Sequence, residues 1–244
     1  PLATTPPNWG GWYVGGNVGF SWGSSDVSYE QEPFSVFGFD FTRSDSGFGL
    51  THRLHPKSGI AGLQAGYDFQ REQIVLGVVT DFDYRNGSAK ALTGPMFPPL
   101  NDFLSISTVH EWLGTARVRA GLQFCKACLI YTTGGLAYGR VHHAHVQTSV
   151  TITDRSFDSH RAFSESQTKV GWTVGGGLEY RFNQTWSIGA EYLYVDLGSD
   201  TVKTGAGAGN DLSGYELFYP ATTVSYDDTS SIARVVLNYR FGGP

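Results

Sequence analysis

The chain has 244 residues, a net charge of -5 and 16% charged residues, against a usual ~25% in soluble domains. That balance offers no basic footprint for nucleic acid, and no run of ~18 apolar residues is present to form a membrane-spanning helix. Gly is abundant (32 residues) and aromatics make up 14%, which with the alternation described below points to β structure with close internal packing. Pro1 to Asn8 is Pro- and Thr-rich and is expected to be extended. The chain opens on Pro1 with neither Met nor an apolar stretch, as expected of a protein whose export signal has been removed.

Alternation begins at Trp12. A strand points successive side chains to opposite faces, so 11–23 puts Trp12, Val14, Val18, Phe20 and Trp22 on one face and Asn17 on the other. Over 58–70, Leu63, Tyr67 and Phe69 oppose Gln64 and Asp68. Over 74–86, Ile74, Leu76, Val78, Phe82 and Tyr84 oppose Asp81 and Asp83. Over 109–124, Val118, Leu122 and Phe124 oppose Arg117 and Arg119. The pattern is weakest over 128–141, where Ile130, Thr132, Leu136 and Tyr138 share a face. It is clearest over 168–182: Val170, Trp172, Val174, Gly176, Leu178, Tyr180 and Phe182 alternate with Lys169, Gly171, Thr173, Gly175, Gly177, Glu179 and Arg181. Two more strands follow. Over 185–198, Trp186, Ile188, Tyr192 and Tyr194 oppose Glu191, and over 230–241, Val235, Leu237, Tyr239 and Phe241 oppose Arg234 and Arg240.

Over 168–182 the bulky aromatics sit at the strand ends, flanking Val and Leu. Aromatic girdles flanking an apolar band mark a strand dissolved in a lipid bilayer. The connections support this. Arg71 to Gln73, Lys126-Ala127 and Asn183-Gln184 are short, and they alternate with long connections over 24–57, 87–108, 142–167 and 199–229. Bacterial outer-membrane barrels show this asymmetry, with short periplasmic turns and longer outer loops. Open sheet edges are forbidden in hydrocarbon, so the strands must close. The expected fold is all-β: a closed eight-stranded antiparallel transmembrane β-barrel with four long extracellular loops. Residues 1–10 form a periplasmic N-terminal extension, 11–241 the barrel and 242–244 a tail.

An eight-stranded interior is just wide enough to be filled by side chains. The inward set carries both signs: Asp81, Asp83, Glu179 and Glu191 against Arg117, Arg119, Arg181, Arg234 and Arg240. Buried charges are costly unless paired, so these residues are expected to form one bonded network. Inward glycines such as Gly15, Gly62, Gly66 and Gly177 leave room for it. The network reads either as an ion pathway or as a solid polar core, and the narrow bore favours the core.

Several stretches resemble one family. They are Trp12-Tyr13-Val14-Gly15-Gly16-Asn17-Val18-Gly19, Gly62 to Tyr67 with Val75 to Tyr84, Trp112 to Arg117 with Tyr131 to Gly139, Gly171 to Tyr180 with Glu191 to Gly198, and the closing Val236-Leu237-Asn238-Tyr239-Arg240-Phe241. Together they resemble the small porin-family outer-membrane β-barrels of alphaproteobacteria, the surface-antigen type, similar in architecture to the OmpA barrel. The resemblance spans the strands and none of the long loops. It implies an outer-membrane location and an envelope-structural, surface-exposed role, with haem binding or weak pore activity in some relatives. It places the chain in a lipid bilayer with lipopolysaccharide, with a protein partner or further copies reached through the outer loops. Two positions depart from the pattern. Gly242-Gly243-Pro244 follow Phe241, where such chains usually finish on the aromatic residue, and Val79 stands where the family has Glu.

Other residues suggest chemistry. Cys125 and Cys128 flank a two-residue turn, and hairpin geometry puts them within disulfide range. His142, His143 and His145 cluster where a strand leaves the membrane and could ligate haem or a metal, although solvated loop histidine is the plainer reading and no cofactor is expected. Phe34, Phe37, Phe39 and Phe41 make the first loop unusually aromatic, which suggests a partner contact or a capping hairpin. Residues 204–210 read as a flexible Gly-Ala loop. Ser107, His110 and Glu111 are the nearest approach to an enzymatic set, but their spacing does not support one, so no enzyme is expected. Alternatives to the structural role are a narrow porin for small solutes, a surface receptor for haem or another ligand, and a partner-binding or lattice-forming surface protein.

Overall fold

Alternating large apolar and small or polar residues turn most of the chain into strand. The structure, a computed structural model, describes residues 8–31, 34–36, 39–41, 49–93, 101–150, 158–205, 207–210, 216–219 and 221–241. In chain order the strands are β1 (Gly11–Gln31), β2 (Phe34–Val36), β3 (Phe39–Phe41), β4 (Gly49–Leu54), β5 (Lys57–Arg71), β6 (Ile74–Thr93), β7 (Asn101–Gln123), β8 (Cys128–Val150), β9 (Asp158–Arg181), β10 (Trp186–Thr204), β11 (Gly207–Asn210), β12 (Glu216–Tyr219) and β13 (Thr222–Arg240).

β1, β5, β6, β7, β8, β9, β10 and β13 pair in that order, each antiparallel to its neighbours, and β13 pairs back onto β1 from Tyr13↔Arg240 to Gln31↔Thr222. The sheet is therefore a closed eight-stranded barrel. β4 and β5 pair with successive stretches of β1 and act as one strand interrupted at Pro56. Proline has no N–H to give a ladder. Its carbonyl instead accepts a bond from the Gly23 N–H at 2.9 Å.

The two faces separate as the alternation predicts. Leu63, Val170 and Val118 are largely exposed on the outside, while Asp83, Glu179 and Asn238 are buried within. Outer aromatics form two belts. Near the short turns, Trp12 meets Tyr67 with ring centroids 5.1 Å apart, and Trp186 meets Tyr239 at 5.1 Å. Toward the long hairpins, Phe82 stacks on Trp112 at 5.4 Å and Trp172 meets Tyr194 at 5.5 Å.

Three expectations change. First, the strands run 15–24 residues, whereas a bilayer needs ~9–11 tilted residues. Much of 24–57, 87–108, 142–167 and 199–229 is therefore strand that continues as a wall beyond the apolar band, because hairpin ladders keep pairing after the lipid ends. Second, Gly207–Asn210, expected in a flexible loop, pairs with Glu216–Tyr219. Third, Trp9, placed in the N-terminal extension, is fully buried in the barrel mouth beside Val75, Leu129 and Tyr131. Its backbone N–H donates to Gln70 Oε1 at 2.5 Å.

Two irregularities interrupt the ladders. The β7–β8 register shifts between His110 and Trp112, with a matching shift between Tyr84 and Gly87 on β6. The β10–β13 register shifts between Asp196 and Ser199. There Gly198 adopts φ 74°, a left-handed conformation that glycine takes without steric cost, and its N–H is capped by Asp196 Oδ1 at 2.8 Å. Each bulge shifts a strand by one residue, so the faces exchange beyond it.

Candidate functional site: the layered barrel interior

The interior is stacked in tiers. At the short-turn end, Asp68 and Glu179 share Arg119 and Arg240. Asp68 accepts Arg119 Nε at 2.7 Å and Arg240 Nη1 at 2.8 Å, with Arg119 Nη2 closing the fork. Glu179 accepts Arg119 Nη1 at 3.2 Å and Arg240 Nη2 at 3.0 Å, and also Ser187 Oγ and Asn238 Nδ2. Tyr13 and Tyr131 lie against the Arg119 guanidinium at 4.9 and 5.0 Å, and Trp9 lies against Arg240 at 4.9 Å. Gly66 makes this possible, since a Cβ there would enter the Tyr13 ring.

The next tier joins Asp81, Asp83 and Glu191 to Arg117 and Arg234. Asp81 accepts Arg117 Nη2 at 2.5 Å, Arg234 Nη2 at 2.9 Å and Thr115 Oγ1 at 2.8 Å. Glu191 accepts Arg117 Nη1 at 2.9 Å and Arg234 Nε at 2.8 Å. Asp83 accepts Arg234 Nη1 and Asn17 Nδ2, each at 2.8 Å. Forked, charge-assisted bonds of this kind are the strongest a protein makes, and they offset the desolvation that makes isolated buried charges untenable.

Above these lies a layer the sequence reading did not foresee. Ile60, Leu113, Ala137, Val141, Leu193, Val195, Leu197 and Ile232 form one buried apolar cluster. Apart from Ala137 and Val141 of β8, they occupy inward positions of strands that carry the charges below. Beyond it sits an outer polar group. Lys169 Nζ bonds Asp228 Oδ2 at 2.9 Å and Asp200 Oδ2 at 3.0 Å. Arg85 Nη1 lies 3.3 Å from His110 Nδ1 and 3.4 Å from Ser230 Oγ.

Of the expected network, Asp81, Asp83, Arg117, Arg119, Glu179, Glu191, Arg234 and Arg240 are brought together, but in two clusters rather than one. Arg181 stands apart. Its guanidinium bonds the Asn8 and Gln184 carbonyls and faces the Trp9 ring at 5.5 Å. It ends β9 beside a turn, where backbone acceptors are the nearest groups. Asp68 carries as much of the lower tier as any of these, and its parity with Gln64 was the available signal. His110 and Asp200 could not be read from parity, because the bulges at Glu111 and Gly198 turn them inward.

His142, His143 and His145 all lie in β8, and neighbouring positions of a strand belong to opposite faces. His142 bonds Ser166 Oγ at 2.7 Å and Ser164 Oγ at 3.2 Å; the side chains of His143 and His145 lie outside the described residues. Ser107, His110 and Glu111 point to three different partners: the Ala144 carbonyl, Arg85 and Arg140. Phe34 pairs with Phe41, and Val36 with Phe39, in the β2–β3 hairpin. The side chains of Phe34, Phe39 and Phe41, and Phe37 as a whole, lie outside the described residues. The sulfurs of Cys125 and Cys128 are bonded across their turn, with Cα atoms 4.9 Å apart.

A family model described as outer membrane protein beta-barrel domain matches residues 3–241. The chain belongs to this outer-membrane β-barrel family. It is 34% identical over 195 residues to the 31 kDa outer-membrane immunogenic protein of Brucella melitensis, covering 78% of this chain and 72% of that one. It is 28% identical over 192 residues to the 22 kDa outer membrane protein of Rhizobium leguminosarum, covering 79% and 66%. The solved structure of OprG from Pseudomonas aeruginosa shares the fold, with a TM-score of 0.51 at 14% identity over 98% of this chain and all of that one. The protein is thus an integral outer-membrane barrel: the exposed apolar belt is its lipid coat, and the short turns face the periplasm.

Proposed function

We propose that this outer-membrane protein is a sealed structural element that displays its long hairpins at the cell surface, passing no solute and catalysing no reaction. The stacked interior carries this reading. Two bonded charge clusters and an apolar tier fill a bore that, for eight strands, has room for side chains or one small ligand. The names of the Brucella relatives, outer-membrane immunogenic proteins, support surface display.

In this reading lipopolysaccharide surrounds the outer aromatic belt, and the Phe-rich hairpin of β2 and β3 supplies the contact to a protein partner or a second copy. Deletion of 33–49 is expected to change the oligomeric state or the protease resistance of the folded barrel. The Cys125–Cys128 bond pins the periplasmic turn, and intact mass is expected to show no free thiol. The decisive experiment is planar-bilayer recording of refolded protein. A flat baseline is expected, and stable, reproducible conductance steps would replace this reading with a narrow pore.

A further inference from the structure

We propose that Arg85 holds a small oxyanion, of the carboxylate or phosphate type, inside the barrel on the hairpin side of the apolar tier. Four lumen arginines set the comparison. Arg117 and Arg119 each meet two carboxylates, Arg240 meets two, and Arg234 meets three. Arg85 is as buried as they are, at 3% exposure, yet no described carboxylate lies within ion-pair distance of it. Among the described residues its bonds are the two long ones from Nη1 to His110 and Ser230, and Nε and Nη2 have no partner there.

Those two nitrogens form one edge of the guanidinium, and that edge is the fork that receives two oxygens of one carboxylate or phosphate side by side. The neighbouring acids are already engaged. Asp83 is held by Arg234 and Asn17, and Asp228 and Asp200 share Lys169. Water would satisfy the two N–H groups but add no contact anion to a charge that Asp83 and Asp81 offset only through space, against repulsion from Arg234, and a buried charge without a paired partner is the expensive arrangement. An oxyanion answers both deficits.

The backbone supports the assignment independently. The bulge at Glu111 turns His110 inward, where its Nδ1 sits against Arg85 Nη1 and steadies the guanidinium with its fork free. Bulges gather where a side chain must be re-aimed. Eight-stranded barrels that are not wholly filled hold one small ligand, and an oxyanion on a single fork is of that size.

The test is an NMR titration of arginine Nε–Hε signals in the refolded, detergent-solubilised barrel, with sodium acetate and sodium phosphate as separate probes and sodium chloride as the ionic-strength control. Saturable movement of one arginine signal with acetate, phosphate or both, and none with chloride, is expected; the probe that saturates first distinguishes a carboxylate from a phosphate source. That signal should be missing in Arg85→Lys, and Lys57→Gln should respond as wild type does. At 100-fold excess over Kd the folded-to-unfolded ratio should rise about 100-fold in wild type and stay constant in Arg85→Lys. If no arginine signal moves with either probe, only water occupies the fork and the proposal is overturned. Should Arg85→Lys not refold, NOEs from the moving arginine's protons to His110 or Ser230 assign the wild-type signal to Arg85, and a moving signal with neither contact overturns the proposal.

Discussion

On the periplasmic side of the apolar tier, Arg117, Arg119, Arg234 and Arg240 are cross-bonded with five carboxylates so that each of the four meets at least two acids, while Arg181 at the rim rests on backbone carbonyls. On the hairpin side Lys169 meets two acids and Arg85 meets none. The lower side is built on uninterrupted ladders, and the upper side lies beyond bulges in β7 and β10. Strict alternation yields a closed core in which each of these charges is paired. A one-residue shift in register yields a polar group with an open valence.

The largest expected effect tests this contrast. Arg234→Met leaves Asp81, Asp83 and Glu191 short of a cation, and breaking a buried pair from one side costs about 3–5 kcal/mol. The urea midpoint of the detergent-folded barrel should fall accordingly. Arg85→Met in buffer free of oxyanions should cost far less, since it removes a charge that forms no ion pair among the described residues. Equal losses in the two variants would erase the distinction between the tiers.

The outer wall gives a second contrast. Leu63→Arg places a charge in the apolar belt and should cost roughly 2–4 kcal/mol, whereas Ser166→Arg, on the exposed part of β9 beyond the belt, should cost about 0–1 kcal/mol. Similar costs would mean that the wall above the belt is also in lipid. Next comes Gly198→Ala. A side chain in the left-handed region costs about 1–2 kcal/mol, and amide exchange should quicken over 199–204 more than at the periplasmic end.

The smallest effect is at the exposed pair Asp26–Arg53 on β1 and β4, 2.6 Å apart. The Arg53 hydrogen bond holds the Asp26 carboxyl below its ordinary value of 3.8. A lowered folded pKa gives stability that is complete above the unfolded value and lost as pH falls through the folded one. The β1–β4 contact should therefore be constant from neutral pH down to the ordinary carboxylate range and weaken only below it. Added salt should screen it throughout. A loss already at pH 6, followed by amide exchange in β4, would contradict the assignment.

Particular residues show where sequence reading succeeds. Leu63 outside and Gln64 inside follow from period two alone, because an Arg or Asp facing lipid is too costly for the register to slip. The same logic put Asp81, Arg117, Glu191 and Arg234 together on the inward face. It could not divide the charges into two clusters, since that depends on how tilted strands stagger around the barrel. It also missed the Leu113–Leu193–Ile232 layer, because an inward apolar residue looks no different from an outward one unless the register is known. His110 and Asp200 lay beyond bulges whose only trace is one extra residue. Trp9 lay outside the alternation altogether, and its burial follows from two guanidinium groups and a carbonyl acceptor near the mouth.

The central claim is that the protein wears its apolar face against acyl chains and turns its polar face inward. Single cysteines at Ala61, Leu63 and Ala65, and at Ile60 and Gln64, can be labelled with a fluorophore in the refolded barrel and quenched by lipids brominated along their acyl chains. The native sulfurs are bonded to each other and take no label. Strong quenching at 61, 63 and 65 with little at 60 and 64 is the predicted result. Quenching without a two-residue period, or none at any position, would contradict the account.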